Sequence, residues 1–230
     1  MQFLGELWTT EISKDSHSAS GCDCFFQGKY NIEFVCSSGG DTTKNELHKY
    51  CKKDGRMINY GVKEQLLLAR LSNSITNKKE FYLKHAGDKR LMEHPYIIFI
   101  GLGELAIEAM LEDYGIDICG LLLGKGNQSI TVDNATGQII STQYEFRPEI
   151  EKRPGVRINA NIWCDPDYND ISGIIVSEAT IYEPYTKDNT WIFLNPFAKQ
   201  KIESKDFKNV VCWIEENGEY YPVENGKRIE

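Results

Sequence analysis

Two acidic residues of this chain stand where acids are costly. Asp23 runs straight into Cys24-Phe25-Phe26, and Glu33 lies between Ile32 and Phe34. A carboxylate set into an apolar strand needs a partner, because taking its charge out of water is expensive. Between the two lies Gln27-Gly28-Lys29, a hairpin-type turn with Gly positioned for positive φ. Strands paired symmetrically about Gly28 would set Asp23 directly across from Glu33 on one face. Two carboxylates joined in that way offer hard oxygens suited to Mg²⁺ or Mn²⁺. Such an ion orients and polarises a phosphodiester and lowers the pKa of an attacking water. The spacing by itself equally fits two solvated acids, since exposed carboxylates are common on hairpins.

Other chemical candidates are poorer in partners. His48 and Cys51 fall one helical turn apart, as a Cys–His nucleophile pair would, yet no orienting or oxyanion group accompanies them. Gly101-Leu102-Gly103-Glu104 has the start of a phosphate-cradling loop but neither a third glycine nor a Lys-Ser/Thr ending, so it reads as a strand-to-helix turn. The acidic run Asp165-Pro166-Asp167-Tyr168-Asn169-Asp170 lacks the glycine and closing Glu of a calcium loop and reads as a solvated turn. Cys22-Asp23-Cys24 would turn two thiols to one strand face, but two thiolates are not a zinc site.

The elements that must position Asp23 and Glu33 follow from periodicity. Phe3, Leu4, Leu7, Trp8 and Ile12 recur at helical spacing. Cys22–Gln27 and Lys29–Cys36 read as paired strands, and 44–53 as a short helix. From Val62 to about His85 the chain is rich in Leu, Ala, Lys and Glu with no Gly or Pro until Gly87, which predicts a long helix. Its Leu67, Leu68, Leu71, Ile75 and Tyr82 share one face, while Gln65, Ser72 and Thr76 share another. Tyr96–Ile100 is wholly apolar and predicts a strand buried on both sides. Further on, Gly103–Asp113 reads as a helix, Cys119–Leu123 as an apolar run, and 124–168 as loops with weak strands. Ile171–Ser177, Trp191–Leu194 and Val210–Ile214 read as strands, and no regular element is read in Glu219–Glu230. The fold class is α/β. Residues 1–202 are expected to form a single domain, and 203–230 an extension packed on it or trailing from it.

Composition narrows the class. The chain has 230 residues, 41% hydrophobic and 26% charged, which is ordinary globular composition. No apolar run reaches the roughly 18–20 residues of a membrane span, and Met1–Glu6 lacks the basic and apolar regions of a secretory signal. Seven cysteines are an odd number. With most of them in apolar settings, buried free thiols in a reducing, cytoplasmic interior are expected. The net charge of −8 argues against a surface that binds nucleic acid everywhere. Its distribution is uneven: residues 1–95 carry 14 Lys+Arg against 12 Asp+Glu, and residues 96–230 carry 12 against 22. A local basic groove around Lys44–Arg56 and Lys78–Arg90 is compatible with that division, as are solvated helix faces.

An acid, a hairpin and a second acid in an apolar strand resemble the motif of the PD-(D/E)XK, or restriction-endonuclease-like, nuclease superfamily, in a divergent bacterial form. The order of elements is similar too: a leading helix with Glu6, a strand with Asp23, a strand with Glu33, and then Lys63-Glu64-Gln65-Leu66-Leu67-Leu68-Ala69-Arg70 opening a helix. Pro95–Ile100 resembles the buried strand that follows. Ile171–Val176 with Phe193-Leu194-Asn195-Pro196-Phe197-Ala198 resembles a C-terminal pair of some bacterial members. The resemblance covers roughly residues 1–202 and implies a restriction-endonuclease-like core of helix, β-hairpin, helix and buried strand with a C-terminal α/β elaboration. It implies Asp23 and Glu33 as ligands of Mg²⁺ or Mn²⁺, Glu6 as a further ligand or water-orienting acid, and Gln65 as a group orienting water or a phosphate oxygen. Two positions depart from the motif. Cys22 stands for its proline and Val35 for its lysine, whose ammonium would stabilise charge on the phosphate. Lys44 and Lys63 are candidates to supply that charge from elsewhere.

Two functions therefore compete. One is a metal-dependent nuclease acting on DNA or RNA. The other is a nuclease-like binding module or bacterial effector domain that contacts nucleic acid or protein without chemistry. Neither calls for a membrane, and the effector role is compatible with secretion.

Overall fold

The computed structural model describes residues 17–19, 22–37, 64–102, 118–153, 155–179, 186, 189–208, 210–217 and 219–229. They form a mixed α/β fold dominated by strands. Three antiparallel strands open it: β1 (His17–Ala19), β2 (Cys22–Phe26) and β3 (Tyr30–Cys36). The β2–β3 turn closes with Lys29 N–H donating to Phe26 O at 3.1 Å. Gln27 and Gly28 both sit at positive φ, 56° and 65°, as the twist of a tight hairpin demands. Cys24 pairs with Ile32 and Phe26 with Tyr30, the symmetric register about Gly28 that the sequence implies.

Helix α1 (Glu64–Lys84) and the short α2 (Lys89–Glu93) then carry the chain to β4 (Tyr96–Gly101), which lies parallel beside β3. Next come α3 (Ile118–Leu123), the hairpin β5 (Lys125–Val132) with β6 (Ile139–Phe146), and the hairpin β7 (Glu149–Arg153) with β8 (Val156–Asn159). Strand β9 (Ile171–Ser177) returns parallel to β4, β10 (Thr190–Leu194) pairs antiparallel to β9, and β11 (Val211–Glu216) runs parallel to β10. Strands β12 (Glu219–Glu224) and β13 (Lys227–Arg228) complete a nine-stranded sheet in the order β1-β2-β3-β4-β9-β10-β11-β12-β13.

Strand alternation splits the core into two layers. Ile98, Ile100, Ile174 and Val176 meet Leu67, Leu68, Leu71, Ile75 and Tyr82 of α1, with Trp163 beside them. Ile97, Phe99, Ile175 and Ile192 face the other way, against Ile202, Phe207 and Val210. Strand β4 and the Ile174–Val176 stretch of β9 are thus apolar because both their faces are covered.

Several expectations change. Cys119–Leu123, read as an apolar run, lies within helix α3, and 124–168 resolve into two distinct hairpins. The polar tail, read as irregular, supplies β12 and β13 as part of the main sheet. Its side chains gain an apolar partner only when paired with β11, a contact that local periodicity does not report. Cys22 and Cys24 do not share a face: Cys22 packs with the α1 layer and Cys24 with the opposite layer. The cause is a register slip in the β1–β2 pairing, between His17↔Phe25 and Ala19↔Cys22, which breaks strand alternation at Asp23. Cys22, Cys24 and Cys212 are buried, whereas Cys36 and Cys164 are exposed. The helices read at 3–12, 44–53 and 103–113 lie outside the described residues.

Candidate functional site

Glu33 sits in the middle of β3 across from Ile98 of β4, on the face covered by α1. It is only 3% exposed. Its Oε1 accepts from Lys78 Nζ at 2.6 Å, and its Oε2 accepts the backbone N–H of Asp23 at 3.1 Å. Asp23 answers in kind: its Oδ2 accepts the backbone N–H of Phe34 at 2.7 Å. One step beyond the Cys24↔Ile32 pair, each acid thus hydrogen-bonds the other's strand, and side chains replace a rung of the ladder. The sequence expectation that the hairpin juxtaposes Asp23 and Glu33 corresponds to this arrangement.

Lys78 enters the sequence reading only as one end of a basic cluster, with no part in the acid site. It follows Leu71 and Ile75 at helical intervals and precedes Tyr82, so it lies on the core stripe of α1. A lysine on such a stripe needs an anion beneath it, and that is the signal that could have identified it. Tyr96 joins the same group: its hydroxyl donates to Lys78 O at 3.4 Å. Burial, and then the charge of Glu33, hold the Tyr96 phenol well above its ordinary range. It therefore stays protonated and serves as a donor beside the acids. Asn31, also on the α1 side, anchors the approach to β4 through its Nδ2, 3.4 Å from Leu91 O and His94 O.

Gln65 precedes Lys78 by thirteen residues on α1, about 20 Å along the axis at ~1.5 Å per residue. Position 65 lies two turns before Ser72. Ser72 and Thr76 turn the other way, Ser72 Oγ donating to Asn159 O at 2.8 Å and Thr76 Oγ1 lying 2.9 Å from Tyr168 Oη. Glu6, Lys44, Lys63 and the His48–Cys51 pair lie outside the described residues. Val35 packs its side chain against the α1 layer.

The acid pair suits a small hard cation in its chemistry. Mg²⁺ is commonly held by one or two carboxylates, with water or phosphate filling its remaining positions. Each carboxylate oxygen has two lone pairs, so a hydrogen bond to it leaves room for a second contact. Among the described residues no group of three or more His, Cys, Asp or Glu side chains converges in a metal-binding arrangement. Nor is any described helix long and apolar enough to cross a membrane. No protein-family model, curated protein or solved structure matches this chain. The fold and its cluster thus define a mixed α/β protein in which two strand acids of the main sheet meet a lysine of α1.

Proposed function

We propose that this chain is a divalent-metal-dependent phosphodiesterase of the nuclease kind, with Asp23 and Glu33 holding Mg²⁺ or Mn²⁺ and Lys78 as the cationic partner. The observation that carries the reading is the 2.6 Å contact of Lys78 with Glu33. It gives the acid pair an ammonium that the local motif, with Val35, lacks. The order of elements supports it as well: a hairpin bearing both acids, a crossover helix, and a buried strand parallel to the second acidic strand. These elements accord with the part of the restriction-endonuclease-like order that falls within the described residues.

When bound, the metal supplies polarisation of the phosphoryl oxygen and a lower pKa for the attacking water. The protein's part is positional and electrostatic. Glu33 is held by burial and two donors, so its carboxylate does not reorganise during reaction. Asp23, exposed beside it, faces incoming substrate. Lys78 offers positive charge to a phosphate oxygen as negative charge develops there.

The test is cleavage of single- and double-stranded DNA and RNA by the full chain in Mg²⁺, Mn²⁺ or EDTA. Hydrolysis that needs the divalent ion and falls at least about 100-fold in Asp23→Asn and Lys78→Met is expected, the loss usual for removing one electrostatic group. Hydrolysis that survives both substitutions would overturn the proposal.

A second reading is favoured by the full engagement of Glu33, whose two oxygens already have protein donors. In that reading the cluster is a structural lock, and the chain binds nucleic acid or protein without chemistry. Calorimetry separates the two: a lock shows no Mn²⁺ affinity, and its partner binding survives Asp23→Asn.

A further inference from the structure

The β5–β6 hairpin stands outside the nine-stranded sheet and, among the described residues, its strands pair only with each other. With Gln128 opposite Tyr144 and Ile130 opposite Thr142, even-numbered positions of both strands share a face. That face carries Gln128, Ile130, Val132, Thr142, Tyr144 and Phe146. Ile139 joins it as the partner of Val132, and Ile140 is the extra residue where the register slips. The opposite face carries Ser129, Thr131, Ser141 and Gln143. The ribbon is therefore amphipathic, yet its apolar members are bare: Ile130 is 52% exposed, Ile139 and Ile140 are 64%, and Phe146 is 67%. An isolated two-stranded hairpin is marginal in water, and a contiguous apolar patch of this kind marks an interface.

We propose that this face is the contact between two copies of the chain, packed apolar face to apolar face about a twofold axis. Area is the first argument. Six large apolar side chains, each about half exposed, offer ~100 Å² apiece, or ~600 Å² per copy, against ~800 Å² per partner in a standard interface. Charge is the second. Lys125 and Arg147 are offset by Asp133 and Glu145, so the ribbon itself is neutral and does not repel its own copy. A polyanion such as nucleic acid would call for a surplus of cations here. Lys125 Nζ lies 4.7 Å from the Tyr144 ring centroid, which leaves the cation beside an aromatic ring of the apolar face. The inference is independent of the nuclease reading.

Sedimentation velocity of the full chain from about 1 to about 100 µM brackets a micromolar dissociation constant. A dimer is expected, weakened at least 100-fold by Ile130→Glu with Ile139→Glu and unchanged by Ser129→Glu with Gln143→Glu. Thr142→Cys, at the centre of the apolar face, adds a disulfide-linked dimer under oxidation and keeps the test valid if the Glu variant misfolds. A monomer at every concentration, including one whose ribbon is covered by another segment of the same chain, overturns the proposal. So does a dimer indifferent to the apolar-face variant, or a Thr142→Cys chain that forms no cross-link.

Discussion

Removing the ammonium of Lys78 would leave Glu33 with a single backbone donor in a nearly dry setting. Exposed ion pairs contribute up to about 1 kcal/mol, and breaking fully buried ones costs about 3–5 kcal/mol. The Lys78 side chain is 21% exposed and that of Glu33 5%, so Lys78→Met should cost about 2–3 kcal/mol of unfolding free energy, between those limits. Urea titration measures it, and Lys78→Met with Glu33→Leu should recover much of the loss. The thiols give a second residue-scale expectation. Burial, then the charge of Asp206, pushes the Cys212 thiol up to about 12. Cys36 is exposed. At Cys164, which is also exposed, partial desolvation and then Glu215 raise the thiol. Alkylation followed by peptide mapping should therefore label Cys36 before Cys164, and both before Cys212. Because the folded state keeps the Cys212 proton that the unfolded chain releases above its ordinary pKa of 9.0, stability should fall as pH rises from that value toward about 12. Cys212→Ala should flatten that slope.

At the scale of elements, the two hairpin ends differ in how well their residues suit them. Gln27 takes φ 56° without being glycine, a conformation that Asn tolerates better. Gln27→Asn creates the Asn-Gly pair that two-residue turns prefer and should raise stability by about 0.5 kcal/mol, read as a higher urea midpoint. Gly124, at the root of β5, has φ +68°, and a Cβ there would lie 2.9 Å from the Phe146 ring and 3.0 Å from Asn161 Cβ. Gly124→Ala should cost about 2 kcal/mol from the left-handed backbone and the clash together. Because the strain falls where the ribbon joins the body, hydrogen exchange should quicken in β5 and β6 and leave β4 and β9 protected.

For the molecule as a whole, the C-terminal strands are part of the sheet. β12 pairs with β11 from Val211↔Glu224 to Glu216↔Glu219. Tyr220 sets its ring edge-on to Phe193 and donates its hydroxyl to Leu194 O at 3.0 Å. Deleting residues 219–230 would strip Val223 and Tyr220 from the core and leave β11 as a bare apolar edge. The truncated chain should show a lower urea midpoint and concentration-dependent aggregation by light scattering, because an unprotected edge invites pairing with another chain.

What the sequence determined by itself was local. Composition and periodicity were enough for the α/β class, the long helix, the buried strand β4, the strand β9, and the hairpin register that sets Asp23 beside Glu33. Each follows from side-chain alternation or turn chemistry within a few residues. Tertiary structure decided the rest. Lys78 reaches Glu33 across 45 residues, and only the lie of α1 over β3 makes them neighbours. The polar tail becomes strand because β11 offers it an edge. Local pattern reports which face a residue takes, whereas the partner on that face is set by packing between distant segments, whose sequences carry no mark of each other.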